Sequence, residues 1–367
     1  MKKFWVGVLL GCLFTITCKA QDKPVIIGYV GGFRGLINVN VSPKKLSIIN
    51  YAFVDVKNNR AWLHREATDT INLRRLNDLK KQNPALKVVI SIGGWTWSGN
   101  FSDAVLTDTA RAAFAASAAD IVRKYDLDGI DIDWEYPARK GLKGNIYRPE
   151  DKVNYTLLLR DLRHVLDSIK IQTHKPYLLT CAVGAFKDFV ENTEMGKAQQ
   201  YLNYINLMTY DYNEKVAGHH ANLYKSKKYK DKNSADKAVD AFIAAGVPPE
   251  KLVMGLAFYG RAYTLASDTK KGIGDSIINH DRGWGYTVIR DSLIDRNGYV
   301  AHRDKKAKAP YLYNAAKRQF ITYDDEWSVR KKCKYVLYRR MAGVMFWEYS
   351  SDPKEYLLNE VDSILWQ

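Results

Sequence analysis

Cysteine, proline and histidine are all scarce in this chain: four, ten and seven in 367 residues. Four cysteines cannot staple a fold of this length. Two of them, Cys12 and Cys18, fall in the N-terminal stretch, which leaves Cys181 in an apolar run and Cys333 in a basic helix as unpaired structural thiols. So little proline, with no low-complexity tract, excludes a collagen-like or disordered chain. The histidines are dispersed apart from His219-His220, which reads as a loop feature, and nothing matches a zinc ligand pair or a calcium loop, so no metal and no cofactor are expected. Beyond residue 20 no apolar run reaches the ~18 to 20 residues that a spanning helix requires.

Negative charge is also in short supply, 40 Asp and Glu against 56 Lys and Arg, for a formal charge of +16. Such a surplus raises nucleic acid, anionic lipid or an acidic substrate as a partner. No basic face interleaved with aromatic or groove-entering elements accompanies it, so nucleic acid is not the expected partner. Part of the surplus belongs to a leader: Lys2-Lys3, an apolar stretch from Phe4 to Thr17 and a small-residue exit at Ala20 predict a signal peptide over residues 1–20. Its removal takes three lysines and no acid, leaving 53 basic against 40 acidic residues, or +13. The expected location is therefore secreted or extracytoplasmic, with lipid anchoring through Cys12 or Cys18 as the alternative. Much of the remaining charge sits between Leu265 and Ala342 and in the run from Lys225 to Lys232, where a solvated face accounts for it.

What is abundant is alternation. Short apolar or β-branched runs begin at Val25, Leu46, Leu86, Leu127, Tyr177, Tyr204, Lys251 and Ala342, separated by segments of helical period. Phe114, Ala118, Ile121 and Tyr125 form one apolar stripe, and Leu158, Leu162, Val165 and Ile169 another. Ser234 and Gly246 bracket a third helix as N-cap and C-cap. Eight such βα units predict an α/β fold, a closed (β/α)8 TIM barrel. The alternation breaks once, at residues 265–322, where short Gly- and Tyr-punctuated strand-like pieces predict a small α+β insertion between strands seven and eight, on the C-terminal rim. The barrel then comprises residues 21–264 and 323–367.

The informative strand is DGIDIDWEYP, residues 128–137. With a period of two, Asp131, Asp133 and Glu135 share one face and Ile130, Ile132 and Trp134 the other. Helices cover the outside of a barrel, so the acids point inward. Carboxylates two residues apart along a strand lie ~6.6 Å apart and repel by about 2.5 kcal/mol at an effective dielectric near 20, almost two pKa units. At least one must stay protonated near neutral pH, as a general acid requires. Glu135 is nearest the C-terminal face, where barrel enzymes keep their active sites, and is the acid candidate. Asp128 falls off this face and reads as fixing the start of the strand. A solvated sheet face and a hard-metal site are the competing readings of the same row.

The row, together with SIGGW at 91–95, MTYD at 208–211, GLAFYGR at 255–261 and GVMFW at 343–347, resembles glycoside hydrolase family 18, the chitinase family. The insertion ending before YDD at 323–325 resembles the subgroup with a chitinase insertion domain. That family is a substrate-assisted exception among retaining glycosidases. The resemblance implies that Glu135 protonates the glycosidic oxygen and later activates water, that Asp133 holds the acetamido N–H, and that Asp131 tunes Asp133 by sharing a proton. It implies that Tyr210 donates to the acetamido carbonyl, that Asp211 bonds the sugar, that Trp347 floors the cleavage point and that Trp95 stacks beyond it. Tyr29, Phe53, Met208, Tyr259 and Arg261 follow as pocket lining, and Ala52-Phe53, Glu135-Tyr136 and Trp347-Glu348 as cis peptide bonds. YTVI at 286–289 departs from the pattern by lacking a glutamate, and Glu348-Tyr349 replaces a small residue and Leu.

The implied activity is retaining hydrolysis of β-1,4 bonds between N-acetylglucosamine units by a monomer whose partner is chitin or another N-acetylglucosamine-containing polysaccharide. An endo-β-N-acetylglucosaminidase or peptidoglycan hydrolase is the alternative enzyme. A non-catalytic chitin-binding lectin is the alternative from another class, against which Glu135 counts.

Overall fold

The computed structural model describes residues 23–212, 216–230, 233–267 and 272–367. Residues 1–20, expected to form a leader, lie outside the described residues together with the Cys12 and Cys18 they contain. Eight parallel strands form the centre: β1 (Val25–Gly31), β2 (Ile48–Lys57), β4 (Lys87–Gly93), β5 (Gly129–Asp133), β6 (Leu178–Gly184), β7 (Tyr204–Met208), β8 (Leu252–Ala257) and β14 (Gly343–Trp347). Each pairs with its neighbours in the order β1-β14-β8-β7-β6-β5-β4-β2, and β1 pairs in turn with β2, so the sheet closes into a barrel. A short strand, β3 (Arg60–Trp62), folds back antiparallel on β2 as a hairpin. All eight expected barrel strands form. The thiols of Cys181 and Cys333 are both free and buried.

Two apolar layers follow from strand alternation. The outward residues Ile130, Ile132 and Trp134 join the large core under the helices, where Trp134 stacks on Phe101 with ring centroids 5.2 Å apart. The inward set includes Ile27, Tyr29, Ala52, Val89, Ala182, Val253 and Met345. The helix Asp108–Lys124 buries Phe114, Ala118 and Ile121 and is capped by Thr107, whose side chain accepts from the Ala110 N–H. The helix Ala235–Ala244 is capped by Ser234, and the chain leaves it through Gly246 at φ +92°. Glu326–Tyr338 starts with a capping box in which Asp325 and Ser328 satisfy each other's backbone N–H. Among the described residues no helix is long and apolar enough to cross a membrane.

Three strands are shorter than the apolar runs suggest. β5 stops at Asp133 and β7 at Met208, so Glu135 and Tyr210 lie just past the strand ends. The run from Lys251 divides at Phe258, whose ring stacks on Phe346 at 4.1 Å while its N–H donates to Trp347 O and its carbonyl accepts from Tyr286 N–H. Beyond this anchor the chain leaves the barrel. It forms β9 (Tyr259–Leu265) in a second, antiparallel sheet with β10 (Ile277–Gly285), β11 (Val300–Asp304), β12 (Ala309–Asn314) and β13 (Gln319–Thr322), in the order β10-β9-β13-β12-β11. Tyr259 and Arg261 therefore sit on the small sheet and not on the seventh barrel strand, because their backbone pairs with β10 and β13.

Candidate active site

The carboxylate row lies at the C-terminal mouth of the barrel and its three members meet different surroundings. Asp131 is fully buried and accepts four hydrogen bonds: Tyr29 OH at 2.9 Å and Ser91 Oγ at 2.7 Å on Oδ2, Thr180 Oγ1 at 2.6 Å and Asn206 Nδ2 at 3.3 Å on Oδ1. These donors come from β1, β4, β6 and β7, and the register that sets Ser91 and Thr180 beside Asp131 aims both inward with it. Burial raises the Asp131 carboxyl and all four donors oppose the rise.

Asp133 has no such cage; its Oδ1 is buried with no hydrogen-bond partner. Burial, then the charges of Glu135 and Asp131, push its carboxyl well above the usual carboxylate range. The charge of this pair thus belongs on Asp131 and the proton on Asp133. Glu135 is pushed up to about 7, first by burial and further by the Asp211 charge, against a hydrogen bond from Tyr136. Its backbone N–H donates to Ser98 Oγ at 2.9 Å, which in turn donates to the carbonyls of Gly94 and Asp133. This clamp fixes the chain where it leaves β5.

Facing the row, Tyr210 is half-buried, and desolvation and the surrounding acids hold its phenol well above its ordinary pKa, so it remains a proton donor. Asp211 adopts φ +60° and is tied by Arg261 through Nε at 2.8 Å and Nη2 at 2.6 Å and by Tyr259 OH at 2.7 Å. His220 Nδ1 lies 3.4 Å from Asp211 Oδ1. Burial alone would raise the Asp211 carboxyl; His220 and Arg261 outweigh it and hold it well below the usual range.

Aromatic rings form the floor. Trp347 stacks on Phe53 at 5.3 Å and on Phe33 at 6.1 Å and lies 5.9 Å from Tyr29. Met208 packs beside the inward cluster with Phe53 and Tyr210. Trp95 is 48% exposed and its ring stands edge-on to Tyr136 at 6.4 Å, on the rim. Ala52-Phe53, Glu135-Tyr136 and Trp347-Glu348 are all cis.

The residues expected to act on or line the sugar thus gather at this end of the barrel. Asp128 stays apart, accepting the Val88 N–H at 2.8 Å and pairing with Lys80 and Lys175 at the base of β5. Sequence reasoning missed Ser91, Thr180, Asn206 and His220. The signal for Asn206 was present, since it lies two and four residues before Met208 and Tyr210 on one alternating face. The His219-His220 pair is indeed in a loop, but it is fully buried and His220 serves Asp211. No cluster of three metal-ligating side chains occurs among the described residues. Where the pattern departs, Tyr286 is buried against Glu326, and Glu348 is buried beside the Gly31 N–H and Ser350.

The arrangement supplies a carboxyl raised to about 7, so partly protonated at neutral pH, a buried carboxylate to balance positive charge, a phenol donor and flat rings suited to the C–H faces of a sugar. Residues 25–352 match the profile of glycosyl hydrolases family 18. Chitinase A1 of Niallia circulans is 36% identical over 415 aligned positions, which take in 95% of this chain and 59% of the relative, so the chain spans well under two thirds of that protein. A family 18 N-acetylglucosaminidase from Paenibacillus barengoltzii superposes with a TM-score of 0.86 at 38% identity, over 93% of this chain and all of the other. Chitinase ChiA74 from Bacillus thuringiensis gives 0.87 at 31%, over 94% of this chain and 70% of the other. Profile, relatives and superpositions agree with the carboxylate row and the barrel that holds it: the chain belongs to glycosyl hydrolases family 18.

Proposed function

We propose that the protein is a chitinase, hydrolysing β-1,4 bonds between N-acetylglucosamine units with retention of configuration and with the substrate's own acetamido group as nucleophile. The observation that carries this reading is the unequal treatment of three neighbouring carboxyls: Asp131 caged by four donors, Asp133 uncaged, and Glu135 at about 7. Glu135 in its acid form protonates the glycosidic oxygen as the bond to the anomeric carbon breaks. The acetamido oxygen attacks that carbon, and the resulting positive charge is met by the Asp131–Asp133 pair. Asp133 holds the acetamido N–H while Tyr210 donates to its oxygen. The glutamate anion left behind then takes a proton from the incoming water, which opens the ring intermediate and restores the acid.

Trp347 floors the reacting sugar, Trp95 stacks on the unit beyond the scissile bond, and Asp211, held by Arg261 and Tyr259, bonds a hydroxyl. The relatives named chitinases support the substrate, and the leader-like pattern of residues 1–20 supports action outside the cytoplasm; a monomer is the proposed working form. Replacing Glu135 by Gln should abolish hydrolysis of chitohexaose and leave binding in place; turnover near that of the unaltered protein would end the assignment. The second reading is an N-acetylglucosaminidase. It is favoured by the Paenibacillus barengoltzii relative, which this chain spans in full. Single N-acetylglucosamine released from the start of the chitohexaose time course, or activity on N-glycoprotein alone, would put that reading first.

A further inference from the structure

Two basic runs that lie far apart in the chain meet at one corner of the inserted sheet. Lys225, Lys227, Lys228 and Lys230 are exposed on the loop that follows β7, and Lys305 and Lys306 are exposed in the turn between β11 and β12. Leu223 N–H and Tyr224 N–H both donate to Ala307 O at 3.1 Å, which fastens the loop to the turn. Ser226 Oγ donates to Asp304 Oδ2 at 2.6 Å, and the N–H groups of Lys306 and Ala307 donate to Asp304 Oδ1 at 3.0 and 3.1 Å. His219 Nε2 lies 3.4 Å from the same carboxylate. The acid of the junction is therefore buried and occupied in joining the two turns, while the six ammonium groups stand outside it. None of the six forms an ion pair with a carboxylate among the described residues, whereas Lys81, Lys124, Lys187 and Lys197 elsewhere on the surface each pair with an acid. Asp231 and Lys232, which follow in sequence, lie outside the described residues and cancel in formal charge.

Like charges held this close repel, and a surface that keeps them without counter-charges is complementary to a polyanion. The corner takes no part in the sugar chemistry: β11 is three strands away from β9, which carries Arg261 to Asp211, a separation of ~14 Å across the sheet. The side chains narrow the class of polyanion. Lysines are strongly hydrated point charges that lack the planar fork with which arginine grips phosphate. The exposed residues of the two runs include no ring to stack on a base and no apolar side chain to bury in a bilayer. A chain whose negative charges are themselves hydrated and spaced along a sugar backbone asks for neither. The leader-like pattern of residues 1–20 favours a partner met outside the cell. We propose that this corner is a docking surface for an acidic polysaccharide, which holds the protein beside carboxylated glycan while the cleft stays open to its own neutral substrate.

The test combines Lys225→Gln, Lys227→Gln, Lys305→Gln and Lys306→Gln and measures binding to polygalacturonate at low and at physiological salt. Four contacts of the strength of exposed ion pairs amount to a loss of roughly tenfold or more in affinity. The slope of log affinity against log salt should flatten by about three, at ~0.7 per ammonium on a single-stranded polyanion. The four Lys→Arg changes at the same positions should keep the binding, and both variants should keep the thermal midpoint of the unaltered protein. Gln in place of Lys81, Lys124, Lys187 and Lys197 removes the same net charge from paired positions and should leave polygalacturonate binding nearly unchanged. Absence of binding by the unaltered protein, no loss in the first Gln variant, or an equal loss in the second overturns the surface. Tighter binding of duplex DNA or of phosphatidylglycerol vesicles than of polygalacturonate, lost with the same four lysines, overturns acidic polysaccharide as the occupant. The measurement needs no hydrolysis, so its outcome is separate from that of the chitinase reading.

Discussion

Replacing Thr180 by Val tests whether the four-donor cage makes Asp131 the charged member of its pair. Thr180 Oγ1 donates to Asp131 Oδ1 at 2.6 Å, both groups being fully buried, and Val keeps the shape while removing the donor. A hydrogen bond to a charged group contributes ~1.5–3 kcal/mol, which is roughly one to two pKa units on a carboxyl that burial has already raised. The native carboxyl holds its proton more tightly than the unfolded one, so between the unfolded value of ~3.9 and the raised native value stability falls as pH rises. Thr180→Val deepens that fall. Its cost should be smaller at pH 4, where the native carboxyl, raised by burial, keeps more of its proton and needs the donor less, and should reach ~1.5–3 kcal/mol once the native carboxyl has ionised. On the proposed mechanism the acid limb of kcat/KM, where the pair gains its charge, should move up by about one to two units, while Thr180→Ser should leave it in place. The measurements are kcat/KM on a soluble chito-oligosaccharide from pH 3 to 9 and thermal midpoints at pH 4 and pH 7. An acid limb that stays put, or a midpoint loss equal at both pH values, would refute the reasoning.

The opposite limb reports Glu135: with its carboxyl at about 7 and the acid form required, kcat/KM should fall as pH rises through that value. Because the Asp211 charge helps to hold the Glu135 proton, Asp211→Asn should move this limb to lower pH, and a shift the other way would contradict the coupling. Away from the site, Lys332 pairs with Asp324, both fully buried, and Asp324 also accepts from Ser328 Oγ at 2.7 Å. Lys332→Met strands that carboxylate and should cost ~3–5 kcal/mol in denaturant unfolding, with Asp324→Asn in the same chain recovering much of the loss.

The barrel was legible because its signal is periodic and repeated eight times, and each βα unit shows the same two periods. What periodicity could not show is where a strand stops. The apolar run from Lys251 continues unbroken through Gly260, yet at Phe258 the chain passes from one sheet to another. The decision is made by contacts from Phe346, Trp347 and Tyr286, distant in sequence. Tyr259 and Arg261 were recognisable as site residues, but their position on β9, which brings them to Asp211, depends on that transfer.

The carboxylate row shows the same division within the chemistry. Spacing alone establishes that three inward acids two residues apart cannot all ionise normally, and it treats the three alike. Which one keeps the charge depends on donors from four other strands: Tyr29, Ser91, Thr180 and Asn206 each occupy an inward position of their own alternation, and only the register between strands brings them to one carboxylate. Register is a relation between segments, invisible in any one of them. Once Asp131 is fixed as the anion, Asp133, with no cage and an anion on either side when Glu135 ionises, keeps its proton, while Glu135 is raised by its own burial and by the Asp211 charge. The charge of the Asp131–Asp133 pair is thus set from below, by the polar floor of the barrel, and any substitution that weakens the floor should be read first in the acid limb and only then in the rate.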